Sequence, residues 1–91
     1  MADRAIVTVV GRNRVGVLSE VTTEIARMNG NIMDISQKMM GDFFNLIMSV
    51  DISDISVGFS AFKERLEKLG EEKGYRVSVQ HEKVFLYMHR I

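Results

Sequence analysis

Two successive copies of the pattern strand, helix, strand make up most of this chain of 91 residues. A β-branched run at 5–10 predicts the first strand, and apolar residues at helical spacing across 18–28 predict a helix. Asn29-Gly30 suits a left-handed exit from that helix, because glycine carries no steric penalty at positive φ. The period then changes to two, which predicts a second, half-exposed strand from Asn31.

The second half of the chain begins with a hairpin and repeats the same order. Gly41-Asp42 predicts a tight turn into a third strand, and the segment 53–56 offers capping side chains before a second helix. Apolar spacing across 59–69 predicts that helix, Gly74 ends it, and alternation across 75–80 predicts a fourth strand. Right-handed crossovers place both helices on one face of a four-stranded antiparallel sheet in the order 4-1-3-2.

This α+β arrangement is the ferredoxin-like βαββαβ sandwich. The segment 82–91 is expected to add a short C-terminal helix folded back on the body, because its apolar content argues against a free tail. A chain of this size is expected to form one domain, 1–91, since splitting its core would leave neither half stable.

Charge and composition limit the class of protein. Twelve basic and twelve acidic residues balance, so no net field attracts nucleic acid or an anionic membrane surface. The sequence has no cysteine and no long uninterrupted apolar segment, which argues against thiolate metal sites and membrane spans. No basic-then-apolar leader precedes the first strand, and we expect a cytoplasmic protein.

The turn between the first strand and the first helix carries the strongest sign of a binding site. Gly11 and Gly16 have the spacing of a phosphate-binding P-loop, but Val17-Leu18 stands where that loop requires lysine and Ser/Thr. A polar turn leading directly into a helix start still exposes unpaired backbone N–H groups, which favour a carboxylate or another small anion. Asn13 adds a neutral donor and acceptor. We therefore expect binding at this turn.

No set of side chains predicts catalysis, a metal centre or a cofactor. His81 and His89 are too few and too far apart for a metal site. Asp34, Asp51 and Asp54 suit strand faces and helix caps, and no spacing places two of them together for acid–base work. We therefore expect a protein that is not an enzyme.

The second strand is expected to lie at the edge of the sheet. It carries Met33, Ile35 and Met39, and an uncovered edge with such side chains invites pairing with another chain. Two copies joined edge to edge would form one eight-stranded sheet around a two-fold axis. RNA is a less favoured partner, because the first strand has no aromatic residue for base stacking and the third has only Phe43 and Phe44.

These residues resemble the ACT domain, the small-ligand regulatory module of amino-acid metabolism. Asn13-Arg14-Val15-Gly16-Val17-Leu18 matches the family's turn pattern of Asp/Asn-Arg-Pro-Gly-Val/Leu-Leu, and Gly30-Asn31-Ile32 matches its Gly-Asn-Ile opening of the second strand. The similarity covers the element order of the whole chain. It is closest to the free-standing single-ACT-domain proteins of bacteria and archaea, the UPF0237 group, which also end in a segment like Phe85 followed by Met88-His89-Arg90-Ile91.

The resemblance implies amino-acid binding at a homodimer interface. The turn side of the site would consist of Asn13, Arg14, Val15, Gly16, Val17 and Leu18, and the second strand of the partner would contribute Asn31 and Ile32. The dimer would form through Met33, Ile35 and Met39. Helix-start N–H groups suit an α-carboxylate, and the asparagine oxygens suit an α-ammonium. Val15 replaces the family's usual proline, which makes the turn less rigid.

Three functions are open at this point. The first is a non-enzymatic regulatory or sensory ACT homodimer that binds an amino acid and acts on a regulated protein. The second is a ligand-free module for dimerisation and protein interaction, which uses the second strand and the tail. The third is an acylphosphatase-like hydrolase that would recruit Arg12, Arg14 and Asn45, although that enzyme's own turn sequence is absent.

Overall fold

A computed structural model describes residues 3–12 and 15–88. The elements are β1 (Arg4–Arg12), α1 (Val17–Arg27), β2 (Asn31–Met40), β3 (Phe43–Asp51), α2 (Phe59–Lys73), β4 (Arg76–His81) and α3 (Glu82–Met88). All strand pairs are antiparallel, and the strands lie in the order β2-β3-β1-β4. This is the predicted order counted from the opposite edge, so the ferredoxin-like fold is confirmed.

The core lies between one face of the sheet and the two long helices. Alternate residues of β1 and β3, such as Val7 and Met48, are fully buried against helix residues such as Ile25 and Phe62. Each buried side chain of this size contributes about 1.5–3 kcal/mol relative to an exposed one. The residues between them, including Val10, Phe43 and Ile47, lie on the opposite side of the sheet, which we call the open face.

β2 is the edge strand. Ile32 is half-buried, and the other residues of the strand are exposed. A register shift between Ile32 and Asp34 takes Met33 out of the regular pairing with β3. The predicted alternation, with Met33 on the same face as Ile35, is therefore interrupted at a β-bulge. From Ile35 onward the pairing is regular.

The ends of the helices differ from the sequence-based expectation. α2 begins at Phe59 with Gly58 as its N-cap and without a side-chain cap, so the capping predicted for 53–56 is wrong. The left-handed residue after α1 is Asn29, with φ of 63°, and its side-chain amide donates to the Asp54 carbonyl at 2.8 Å. Gly30 is required for a different reason, because a Cβ there would lie 2.7 Å from Ile25 Cγ2.

The predicted C-terminal helix is present as α3, which lies close to β1 and β4. Its packing is lighter than the apolar content of the segment suggests. Phe85 is half-buried, whereas Val84, Leu86, Tyr87 and Met88 are all exposed. His89, Arg90 and Ile91 lie outside the described residues.

Candidate functional site

The start of α1 presents free backbone donors. Gly16 is the N-cap and takes a left-handed backbone, with φ of 96°, which suits a residue without a Cβ. The first intrahelical bond runs from the Glu20 N–H to the Gly16 carbonyl at 2.9 Å, so the N–H groups of residues 17–19 precede the hydrogen-bonded helix. No side chain of the described residues caps this end. Such a helix start favours an anion, as the turn sequence predicts.

A cleft of about 540 Å³ opens between this helix start and strands β2 and β3. Its floor consists of Phe44 and Leu46, which are 4% and 1% exposed. The remaining lining comes from the first turns of α1 and from one residue of β2, and comprises Gly16, Val17, Leu18, Ser19, Thr22 and Gln37. This volume is typical of small-molecule sites, which measure roughly 300–1,000 Å³.

None of the described residues that line the cleft is charged. The Thr22 hydroxyl donates to the Leu18 carbonyl at 2.9 Å, so its donor is already used by the helix. The Gln37 amide nitrogen lies 3.8 Å from Met39 Sδ, which is a weak contact and leaves the carboxamide oxygen available. The carboxylate nearest to Gly16 is Glu20, and its Oε1 accepts a hydrogen bond from the Tyr75 hydroxyl at 3.1 Å.

Three of the four described residues of the predicted turn line the cleft. Gly16, Val17 and Leu18 line it, whereas Val15 is 97% exposed and does not. Asn13 and Arg14 lie outside the described residues. The described part of the turn thus contributes backbone groups and two apolar side chains.

Asn31 and Ile32 lie at the far end of β2 from the cleft of the same chain. Asn31 lines a separate, smaller cavity of about 340 Å³ with Asn29, Gly30, Asp51 and Asp54. Ile32 packs against the core. One chain therefore does not bring together the two halves that the sequence predicts for the site.

The residues predicted for the dimer interface lie at the free edge of the sheet. Met33, Ile35 and Met39 are each between 42% and 51% exposed. Ile35 and Met39 are paired with Met48 and Phe44, which places them on the helix side of the sheet, the side on which the cleft opens.

Sequence reasoning missed five residues of the cleft: Ser19, Thr22, Gln37, Phe44 and Leu46. One signal for Gln37 was present in the sequence. It is the polar residue within an apolar alternation, between Ile35 and Met39. Phe44 and Leu46 carry no such signal, because a floor residue of a cleft and an ordinary core residue have the same pattern.

Other groups considered from the sequence form no reactive centre in the described part of the chain. His81 Nε2 lies 3.4 Å from Asp3 Oδ1, and its ring packs edge-on against Phe59. No group of three or more His, Cys, Asp or Glu side chains within 3–12 and 15–88 could hold a metal ion. The Asp51 carboxylate accepts from the Ser53 N–H at 2.9 Å, and that hydrogen bond lowers the pKa of Asp51.

The described members of the acylphosphatase-like set do not meet at the cleft. Arg12 lies over the Phe43 ring, with its guanidinium carbon 5.7 Å from the ring centroid. Asn45 alternates with the buried floor residues Phe44 and Leu46 and so lies on the open face, away from the cleft. Arg14 lies outside the described residues.

Among the helices that the structure describes, none has the length and apolarity needed to cross a bilayer.

Comparison with known proteins defines the family to which this chain belongs. Residues 3–80 match the model of a family described as the ACT domain. A UPF0237 protein of Methanocaldococcus jannaschii is 49% identical over 89 residues, covering 98% of this chain and 99% of that one. A UPF0237 protein of Bifidobacterium longum is 40% identical, with the same coverage. An ACT domain protein from Streptococcus pneumoniae has a TM-score of 0.81 at 30% identity, over 93% of this chain and 96% of that one.

The chain therefore belongs to the ACT domain family, and its nearly full-length relatives carry the name UPF0237. The resemblance noted in the turn and in the second strand is confirmed. A putative glycine cleavage system transcriptional repressor also matches, with a TM-score of 0.77 at 22% identity over 46% of its length, which shows the shared fold.

Proposed function

We propose that this protein is a non-enzymatic regulatory module, acting in the cytoplasm, that binds an amino acid at a homodimer interface. One observation carries the proposal. A cleft with helix-start donors, whose described lining carries no charge, opens directly beside the uncovered edge strand β2. The cleft supplies one half of a ligand site, and the edge strand is the position from which a second chain would complete it.

The start of α1 suits the α-carboxylate of an amino acid. The N–H groups of residues 17–19 point out of the helix end, where the helix dipole also favours negative charge. An anion at such an end gains about 0.3–1 kcal/mol from the dipole, and direct hydrogen bonds add to this. The apolar floor of Phe44 and Leu46 is then within reach of the ligand side chain.

Antiparallel pairing of β2 with β2 of a second chain accounts for the separated half-sites. In an antiparallel pair the start of one strand lies beside the end of the other. The partner's Asn31 and the partner's Ile32 would then lie near Gln37 and Met39, at the end of β2 that borders the cleft. The predicted roles of Asn31 and Ile32 follow from this pairing.

Regulation follows from the same arrangement. A ligand held between the helix start of one chain and the second strand of the other stabilises the dimer relative to separate chains, because it contacts both. A regulated protein that binds one state of this interface would respond to the amino acid.

Thermal denaturation with a panel of the common amino acids tests ligand binding. A ligand at ten times its Kd stabilises the native state by about 1.4 kcal/mol, which raises the Tm of a domain this small by roughly 5–10 °C. At least one amino acid is expected to give such a shift. The absence of a shift with every amino acid at millimolar concentration would refute the proposal.

Two variants of adjacent methionines test the dimer. Met39 lies on the helix side of β2 and Met40 on the open face, where it pairs with Phe43. Met39→Glu places a charge in the proposed interface and is expected to give monomers by light scattering. Met40→Glu is the matched control and is expected to remain dimeric. Equal effects of both substitutions, or of neither, would argue against dimerisation through this side of the strand.

The exposed apolar residues of α3 favour a second candidate function, a module for dimerisation and protein interaction without a ligand. Leu86, Tyr87 and Met88 are all at least 60% exposed, and such groups mark interaction sites. This function predicts a dimer whose Tm depends on protein concentration and is insensitive to every amino acid. The same denaturation panel distinguishes the two functions.

A further inference from the structure

We infer that the cleft selects amino acids with an uncharged, apolar side chain, and that Gln37 is the residue that determines this specificity. The inference rests on the proposed function, because it concerns the same site. It follows from where the donors, the apolar surface and the charged groups lie around the cleft.

The position of the donors sets the direction of the ligand. They lie at the start of α1, so a bound carboxylate lies at that end of the cleft. The opposite surface consists of Phe44 and Leu46, which are almost completely buried. A side chain attached to the α-carbon of the ligand therefore extends over hydrocarbon, where apolar groups gain from leaving water.

Among the described residues, no charged group lies over the floor of the cleft. None of the described residues that line it is charged. The Glu20 carboxylate keeps its charge when it accepts from the Tyr75 hydroxyl, but it lies beside Gly16 at the helix start and does not line the cleft. Lys38 is paired with Asn45, on the open face of the sheet. An ammonium, guanidinium or carboxylate over the floor would lose hydration without gaining a partner. Lysine, arginine, aspartate and glutamate are therefore disfavoured as ligands.

Gln37 is the polar side chain that reaches the cleft from β2. It is paired with Leu46, so it stands beside the floor, and its carboxamide has only the weak contact with Met39. A carboxamide offers a donor and an acceptor but no net charge. A single substitution at this position can therefore introduce a charge of either sign into the lining of the cleft.

Calorimetric titration of the full-length chain tests the inference. The ligands are valine, leucine, methionine and phenylalanine in one group, and aspartate, glutamate, lysine and arginine in the other. The wild-type protein is expected to bind members of the first group at least tenfold more tightly. Gln37→Glu is expected to improve binding of lysine or arginine by roughly tenfold, and Gln37→Lys that of aspartate or glutamate, because each gains a charged hydrogen bond.

Lys38→Glu is the matched control. It changes charge one residue away, on the opposite face of the same strand, and is expected to leave ligand preference unchanged. Circular dichroism and light scattering confirm that each variant is folded and has the wild-type oligomeric state.

The outcomes distinguish failure of the inference about ligand preference from failure of the proposed function. Tight binding of a charged amino acid by the wild-type chain overturns the inference and leaves the proposed function in place. The same applies if apolar amino acids bind but neither Gln37 variant alters the preference, or if Lys38→Glu alters it equally. Failure of all eight amino acids and of the wider panel to bind overturns both.

Discussion

Gly16 and Gly41 share a left-handed backbone, with φ of 96° and 63°. Among the described residues, a Cβ added at Gly16 would meet only Glu20 Oε2, at 4.0 Å, and one added at Gly41 would meet no atom within 4 Å. An alanine at either position is therefore strained by its backbone alone, which costs about 1 kcal/mol or somewhat more. Only Gly16 lines the cleft. We expect both Gly→Ala variants to lose similar unfolding free energy in urea, and only Gly16→Ala to weaken amino-acid binding.

Gly41→Ala is a suitable control because Gly41 lies in the β2–β3 turn, away from the cleft. The substitution causes a similar backbone strain but removes no contact with the ligand. Binding weakened equally by both substitutions would show that lost stability is responsible. Binding unchanged in Gly16→Ala would show that the start of α1 does not hold the ligand.

Asp51 makes the stability of the fold depend on pH. Hydrogen bonds from the Ser53 N–H and then from the Ser53 side chain lower the pKa of this carboxyl below its ordinary value. A carboxyl with a lower pKa in the folded state stabilises the fold above its unfolded pKa, and the contribution is lost as the pH falls through the folded pKa. Wild-type protein should therefore lose stability below about pH 4 more steeply than Asp51→Asn.

Urea denaturation between pH 6 and pH 2.5, on the order of the range in which aspartate titrates, measures this difference. Asp54→Asn serves as the control, because Asp54 takes part in the loop through its backbone carbonyl. Parallel pH profiles for wild type and Asp51→Asn would mean that the hydrogen bond persists in the unfolded chain or contributes nothing.

At the scale of elements, α2 and β4 approach each other at Gly70. A Cβ there would lie 2.5 Å from the Tyr75 carbonyl oxygen and 2.9 Å from Val77 Cγ2. Alanine is the better helix former by about 1 kcal/mol, but here it must push a backbone carbonyl away, which costs about 1–3 kcal/mol. We expect Gly70→Ala to lower the free energy of unfolding in chemical denaturation, although helix propensity alone predicts an increase.

Glu72→Ala is the control for an alanine that meets no neighbouring atom, because Glu72 is an exposed residue of the same helix. Glutamate and alanine have similar helix propensities, so this variant should leave stability nearly unchanged. A Gly70→Ala variant more stable than wild type would show that α2 can shift outward from β4 at little cost.

The sequence predicts the elements and their order better than their ends. Alternation and helical spacing report which face of each element is buried, so they predict β1 at the centre of the sheet and β2 at its edge, as observed. The segment 53–56 does not cap α2, because Ser and Asp side chains suit several loop roles besides capping. The bulge at Met33 adds one residue to a strand whose composition does not change.

The candidate site was predictable on one side only. The turn containing Gly16 is visible in the sequence, because its left-handed backbone favours glycine at that position. Phe44, Leu46 and Thr22 reach the cleft through tertiary packing of β3 and α1, which no local pattern records. Gln37 could be predicted in part. A polar residue within an apolar alternation is visible in the sequence, but such a residue has several explanations.

At the scale of the whole molecule, most large apolar side chains that are exposed in the described chain lie on two surfaces. The first is on the helix side of the sheet, toward the cleft, and comprises Leu18, Ile35 and Met39, with Met33 further along the same edge strand at the bulge. The second lies on the open face and α3 and comprises Val10, Met40, Phe43, Ile47, Val84, Leu86, Tyr87 and Met88. Val15, in the turn before α1, belongs to neither surface. Exposed apolar groups that gather on one surface mark an interface. The proposed dimer uses the first surface, at the edge where the ligand site is incomplete.

A site shared between two chains can be restored by mixing two defective variants. Gly16→Ala damages the helix-start side and leaves β2 intact, whereas Asn31→Ala damages the strand side and leaves α1 intact. Each homodimer is expected to bind poorly, because both of its sites contain one damaged half. After equal mixing and subunit exchange, half of the dimers are mixed, and each has one intact site of two. About a quarter of the sites should therefore bind the amino acid with wild-type affinity.

Calorimetric titration of the mixture measures this fraction as the stoichiometry of tight binding. Asn31 is suited to the test because it is exposed and its side chain makes only a 3.5 Å contact with Met33 Sδ, so its removal should leave the fold intact. If each half-site belonged to the same chain, mixing would restore nothing. If Asn31→Ala alone bound as tightly as wild type, the second strand of the partner would not be part of the site, and the cleft at α1 would have to hold the ligand with its own residues.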